Sequence, residues 1–349
     1  MYEGFYKLKE NPFRLTPDPG FMCMTAQHQE ALAGLVYGAC TRPGLTVLTG
    51  EAGTGKTTLL YALIELLEKR NSVTAMCTNP MLSAQEFYDL LTLKFGAPCD
   101  SLLKSRQLEA LEQHFRRHHE EGRPCLLVID EAQRLPVELL EEVRLLLNLE
   151  TTRQKLLQII LAGQPELMET LSRYDLRQLK QRVSSICSLR PLSRDELREY
   201  LLHRLAQAGR EDPGLFPDAC MDLIYEYSQG IPRLVNTLSE AALEVGFGLG
   251  AHYVTPAIIE EAARDLALVS PAAQPSAASI AAVGGSGSLN GSPSMAHRSE
   301  PGSGKGAGRG PVGSSAASAA APEPRIPLQS YSERQKILGF FGHLIQHWR

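Results

Sequence analysis

The stretch "LTVLTGEAGTGKTT", Leu45–Thr58, decides how this chain is read. Its first half is a short β-branched and apolar run, which predicts a strand buried on both faces. Its second half is glycine, four residues, then glycine–lysine–threonine. Gly50, Gly53 and Gly55 let backbone N–H groups curl around phosphate oxygens where a side chain would clash. Glu51, Ala52 and Thr54 fill the loop between them. The helix predicted from Lys56 turns its positive dipole end toward the same phosphates, with Thr58 in its first turn. In this pattern Lys56 reaches the β- and γ-phosphates and the Thr57 hydroxyl ligates Mg²⁺.

A second stretch, "CLLVIDEAQ" at Cys125–Gln133, supplies what hydrolysis needs beyond binding. An apolar strand delivers two carboxylates to its C-terminal end, where ligands bind in open α/β sheets. Asp130 would hold the Mg²⁺ shell, and Glu131 would orient or deprotonate the attacking water. Another strand, "VTAMCT", lies between these two in the chain, so a later strand can insert between them in the sheet. "QIILAGQPEL" puts Gln164 at the tip of such a strand, a candidate to contact γ-phosphate or water.

Outward from these motifs, strands are expected at 45–49, 73–78, 125–129, 156–161 and 183–189, separated by helical patterns. That alternation predicts an α/β fold with a parallel five-stranded sheet. "SAQE" from Ser83 and "SRDE" from Ser193 read as capping boxes that open helices. Beyond the fifth strand the pattern is wholly helical, near 194–208, 217–228, 232–247 and 256–267, which suggests an all-helical lid. The expected organisation is residues 1–191 for the nucleotide-binding domain and 192–268 for the lid. An Ala/Gly/Ser/Pro segment, 269–330, cannot bury enough apolar surface to fold and reads as a disordered linker. Residues 331–349 return to an amphipathic helical pattern.

Composition narrows the classes. A net charge of −4 gives no overall basic signature for nucleic acid. The 7 cysteines include no C-x-x-C pair, which points to reduced thiols rather than a disulfide framework or zinc site. "MYEGFYKLKENPF" lacks the basic start and apolar stretch of a secretory signal, and no long apolar run reads as a membrane span. The expectation is a cytoplasmic protein. His114 and His118 stand at helical i,i+4 spacing, but no further ligand completes a metal set, and the pair reads as solvated helix face.

These motifs, with "FYKLKENPFRLTPDPGFM", "HQEALAGLVYG", "CTNPMLSAQEF", "LRQLKQRV" and "GIPRLVN", run in one order through roughly residues 1–268. In that order the chain resembles the AAA+ ATPases of the general secretion pathway protein A, or ExeA-like, type. It is similar too to the ATPases associated with exosortase and exopolysaccharide systems. The resemblance implies a P-loop AAA+ core, ATP as ligand and assembly into a ring or an ATP-dependent dimer. It implies further roles: Asn79 as the polar partner restraining Glu131, Gln164 as sensor 1, and Arg233 as sensor 2 from the lid. Arg182 is the choice for the arginine finger supplied to a neighbouring subunit, with Arg177 its close rival. Pro12 and Phe13 would pack on the adenine.

Two functional classes follow. One is an ATP-hydrolysing motor or switch of a secretion, pilus-like or exopolysaccharide and envelope assembly system. The other is a DNA-binding regulator, since transposition ATPases have similar AAA+ cores. The acidic balance and the lack of a helix-turn-helix pattern after the lid stand against the second. In "YSERQKILGFFGHLIQHWR", Ile337, Phe341, Leu344, Ile345 and Trp348 form one apolar stripe. Such a stripe suits an envelope or secretion-system protein partner, the chain's own core, or peripheral contact with the inner membrane.

Overall fold

The computed structural model describes residues 1–41, 44–210 and 212–269. The amphipathic helix expected over 331–349, and all but the first residue of the expected linker, lie outside the described residues.

The sheet has five parallel strands: β1 (Leu45–Gly50), β2 (Val73–Cys77), β3 (Cys125–Ile129), β4 (Leu157–Gly163) and β5 (Val183–Leu189). Their order is β2-β3-β4-β1-β5, so β4 inserts between the acidic strand and the phosphate-loop strand. Register pairs Thr49 with Gly163 and Ile129 with Leu161, which brings Gly50, Asp130 and Gln164 together at the C-terminal end of the sheet.

β1, β3 and β4 are buried along their whole length. Helices cover both faces, which is why these strands read as continuous apolar runs rather than alternating ones. Successive side chains nonetheless go to opposite cores. Leu127 and Ile129 pack with Phe87, Tyr88 and Phe115 on one side. Leu126 and Val128 pack with Leu35, Leu59 and Leu63 on the other.

The helices of the described residues, in chain order, are α1 (Tyr2–Phe5), α2 (Ala26–Thr41), α3 (Lys56–Glu68), α4 (Ala84–Phe95), α5 (Lys104–Glu120) and α6 (Val137–Leu146). They continue with α7 (Glu166–Leu171), α8 (Arg177–Lys180), α9 (Arg194–Gln207), α10 (Asp218–Ser228), α11 (Pro232–Gly248) and α12 (Pro256–Asp265). Complete capping boxes open α4, through Ser83 and Glu86, and α9, through Ser193 and Glu196.

The last four helices enclose their own core, which includes Leu201, Phe216, Ile224, Leu238 and Ile259. Tyr2, Tyr6, Leu8, Phe13 and Phe21 belong to that same core. Backbone and side-chain bonds tie them there: Lys9 N–H donates to the Ala208 carbonyl at 2.8 Å, and Arg210 Nη1 donates to the Tyr6 carbonyl at 2.6 Å. Residues at the start of the described chain thus share one core with the lid helices. The aromatic side chains at the start of the chain find their apolar environment among the lid helices.

Candidate nucleotide site

The loop between β1 and α3 is shaped by glycine. Gly53 and Gly55 have φ of +84° and +95°, a region that costs a side-chain-bearing residue energy. A Cβ on Gly53 would lie 2.7 Å from Arg233 Cβ, so the start of α11 is seated directly on the loop. The Arg233 N–H donates to the Gly53 carbonyl at 3.1 Å, fixing that seat.

Lys56 is buried, and its Nζ donates to the Gly50 and Glu51 carbonyls at 2.7 and 2.9 Å. Burial lowers its pKa, opposed by the nearby Glu131 and Asp130 charges. Thr57 Oγ1 donates to Asp130 Oδ2 at 2.7 Å, and Asp130 is only 4% exposed. A hydroxyl and a buried carboxylate, oxygens alone, form the donor set a hard cation such as Mg²⁺ takes. The residues present fit that ion. Asp130 Oδ1 accepts the Glu131 N–H at 2.9 Å, and Glu131 itself has a left-handed φ of +54°. A single cleft is bordered by Lys56, Thr57, Glu131 and Arg233.

Gln164 follows β4 directly, and its backbone N–H donates to Gln133 Oε1 at 3.1 Å. Gln133 Nε2 in turn donates to Glu131 Oε2 at 2.9 Å. Asn79 Oδ1 accepts the Met81 N–H at 3.3 Å within its own loop. The amide bonded to Glu131 is that of Gln133. Gln133 was visible in the "DEAQ" run, but a glutamine two residues past a glutamate carries no signal of direction without the turn that folds it back.

Pro12 and Phe13, the expected adenine wall, are not among the residues that border the cleft. Phe13 is 1% exposed and meets Phe216 edge-on at 5.8 Å inside the lid core, so it faces away from the cleft. Pro12 is buried, and its carbonyl accepts from Arg204 Nε at 2.5 Å. The cleft is bordered by Phe21, Met22, Tyr200, Arg204 and Asn236. Arg204 Nη1 donates to Tyr200 Oη at 3.0 Å, Tyr200 Oη donates to Asn236 Oδ1 at 2.9 Å, and the guanidinium lies 5.2 Å from the Phe21 ring centre. Apolar periodicity alone could not tell which of Phe13 and Phe21 turns inward, because both pack in the same core.

His28, on α2, is 5% exposed behind the loop, with Nδ1 at 2.7 Å from Thr25 Oγ1. Burial lowers its pKa, partly offset by a hydrogen bond to the Thr54 backbone and by Glu196. Arg182 and Arg177 both lie on the surface. Arg182 Nη2 donates to Asn148 Oδ1 at 3.1 Å, and Arg177 stacks over Tyr174 at 4.5 Å. On α5, His114 and His118 have Nε2 atoms 3.0 Å apart, but His114 is buried rather than solvated. Among the described residues no group of three or more His, Cys, Asp or Glu could hold a metal ion.

A parallel sheet in this order, with this loop and acidic strand, defines a P-loop AAA+ fold. A family described as "AAA domain" matches residues 40–171. The chain is 37% identical over 267 residues to General secretion pathway protein A of Aeromonas hydrophila, covering 76% of this chain and 48% of that protein. It therefore carries an AAA+ domain of the general secretion pathway protein A type, and spans about half of that relative's length.

A more distant match, 21% identical over 306 residues, is an uncharacterized HTH-type transcriptional regulator of Methanocaldococcus jannaschii, covering 75% of this chain and 74% of that one. Among solved structures, the Aeropyrum pernix ORC2 protein shares the fold at a TM-score of 0.58 and 16% identity, covering 74% of this chain and 72% of that one. Cdc6p of Pyrobaculum aerophilum does so at 0.58 and 18%, covering 73% and 70%. Among the described residues no helix is long and apolar enough to cross a membrane.

Proposed function

We propose that this chain binds ATP with Mg²⁺ and hydrolyses it to ADP and phosphate, as a motor or switch of a secretion, pilus-like or envelope assembly system. One observation carries the hydrolytic reading: the Thr57 hydroxyl and Asp130 carboxylate meet at 2.7 Å with Glu131 next along the chain, in the cleft that Lys56 and Arg233 also border.

Mg²⁺, when bound, neutralises charge on the phosphate oxygens. The Gly50–Thr58 backbone cradles the phosphates, Thr57 and Asp130 hold the ion, and Lys56 swings from its carbonyl partners to the β- and γ-phosphates. Glu131 orients and deprotonates the water. Arg233 and Gln164 read the γ-phosphate from the lid and from β4. Phe21 and Met22, rather than Pro12 and Phe13, form the apolar wall for the base.

Arg182, with Arg177 as the alternative, completes a neighbouring subunit's site in a homo-oligomer. The secretion role rests on the similarity to General secretion pathway protein A. Residues 331–349 are the proposed contact to an envelope protein or to the inner membrane surface.

Glu131→Gln should retain ATP binding and lose hydrolysis by a factor of about 10² or more, whereas Lys56→Ala should weaken binding itself. Steady-state phosphate release and nucleotide titration separate the two. Undiminished hydrolysis in the Glu131→Gln protein would remove Glu131 as the base.

A further inference from the structure

The geometry around Gln133 points to a role for it: we propose that Gln133 is a positioning residue that fixes the Glu131 carboxylate relative to the tip of β4. This rests on Glu131 being the base. Four observations converge on it. Gln133 Oε1 accepts the Gln164 N–H at 3.1 Å, while Nε2 donates to Glu131 Oε2 at 2.9 Å. A backbone N–H can only donate and a carboxylate can only accept, so both ends of the amide are specified and a flipped amide would lose both bonds.

The residue ending β4 is Gly163, and a Cβ there would lie 2.7 Å from Gln133 Oε1 and 3.2 Å from its backbone nitrogen. The close approach of Gln133 to β4 thus depends on that glycine. Glu131 takes a left-handed backbone, φ +54°, as the cap of the short 3-10 turn Ala132–Arg134. That turn folds Gln133 back over the glutamate that precedes it.

The consequence is directional. The amide and the more distant Arg134, 3.9 Å away, both engage Oε2 of Glu131, which leaves Oε1 to take a water proton. A shift of Gln164 on a γ-phosphate is passed through one side chain to the base. Gln133 touches no reacting atom itself. Its effect belongs in kcat and not in nucleotide affinity.

Two near-isosteric substitutions divide the role. Gln133→Met keeps the length and loses both bonds. Gln133→Glu keeps the acceptor for the Gln164 N–H but sets a carboxylate against Glu131. Both should lower kcat for ATP by about ten-fold or more, since hydrogen bonds to charged groups are the strong ones, with KM and nucleotide affinity within about twofold. The Glu variant should lose at least as much as the Met variant.

Gly163→Ala should give the same kcat defect, and the Gly163→Ala/Gln133→Met double variant should be no worse than either single one. A Gln133→Glu protein at wild-type kcat would mean that only the bond to β4 matters, and the proposal fails. Additive losses in the double variant would overturn it as well. If Glu131→Gln instead keeps full hydrolysis, the underlying reading of Glu131 fails first, a result distinguishable from both.

Discussion

Gly53 is squeezed between the phosphate loop and the lid: its φ is +84°, and an added methyl meets Arg233 Cβ at 2.7 Å and Ile231 Cγ2 at 3.1 Å. Gly53→Ala should therefore push α11 off the loop and weaken nucleotide binding by about ten-fold or more, measured by titration with a fluorescent nucleotide. Unchanged affinity would mean the lid tolerates the displacement. His28 gives a pH dependence. Its folded pKa lies below the ordinary imidazole value of 6.5, so the unfolded chain binds the extra proton first. Its contribution to stability is present above pH 6.5 and is lost as pH falls from there toward the depressed folded value. A His28→Gln protein should show a flatter loss of stability over that window in denaturation at several pH values, and His114, lowered by burial too, acts in the same direction. At this scale the phosphate loop and the Asp130–Glu131 pair were legible because glycine spacing and strand-end carboxylates fix backbone positions. Gln133, His28 and Phe21 were not, because their roles depend on a turn or on packing across the chain.

Elements were more legible than side-chain roles. Strands β1, β3 and β5 fall where apolar runs predict them, and both capping boxes form as "SAQE" and "SRDE" require. At α9 the two arms differ: Ser193 N–H donates to Glu196 Oε2 at 2.8 Å, while the Glu196 N–H to Ser193 Oγ bond is 3.3 Å long. Ser193→Ala should cost about 1 kcal/mol in chemical denaturation. Glu196→Ala, which removes the shorter bond, should cost at least as much; a smaller loss would reverse that order. Gly230 holds the same junction from the other side, since a Cβ there would lie 2.0 Å from the Leu192 carbonyl oxygen. What the sequence pattern left open was the destination of the first segment, because an apolar residue advertises burial without naming its neighbours.

Across the whole molecule, the proposed role of Arg182 in a neighbouring subunit's site makes activity depend on assembly. Specific activity should rise with protein concentration, and Arg182→Ala should abolish the rise. Mixing Arg182→Ala with Glu131→Gln protein should restore part of it, because each supplies what the other lacks. A mixture that stays inactive while the Arg182 variant alone works would move the finger to Arg177. Removing residues 331–349 should leave basal hydrolysis intact while abolishing co-sedimentation with its partner or with vesicles; collapse of hydrolysis would instead mean that this segment docks on the core. The packing of the first residues also bears on how the chain is made. Tyr2 Oη bonds Glu240 across 238 positions, and Arg210 reaches the Tyr6 carbonyl across 204. During synthesis residues 2–13 emerge well before α11, which completes the core they pack into. The sheet can close in the meantime, while Tyr2, Tyr6 and Phe13 wait as an unclaimed apolar tail. Anything that captures those side chains early competes with the lid helices for them.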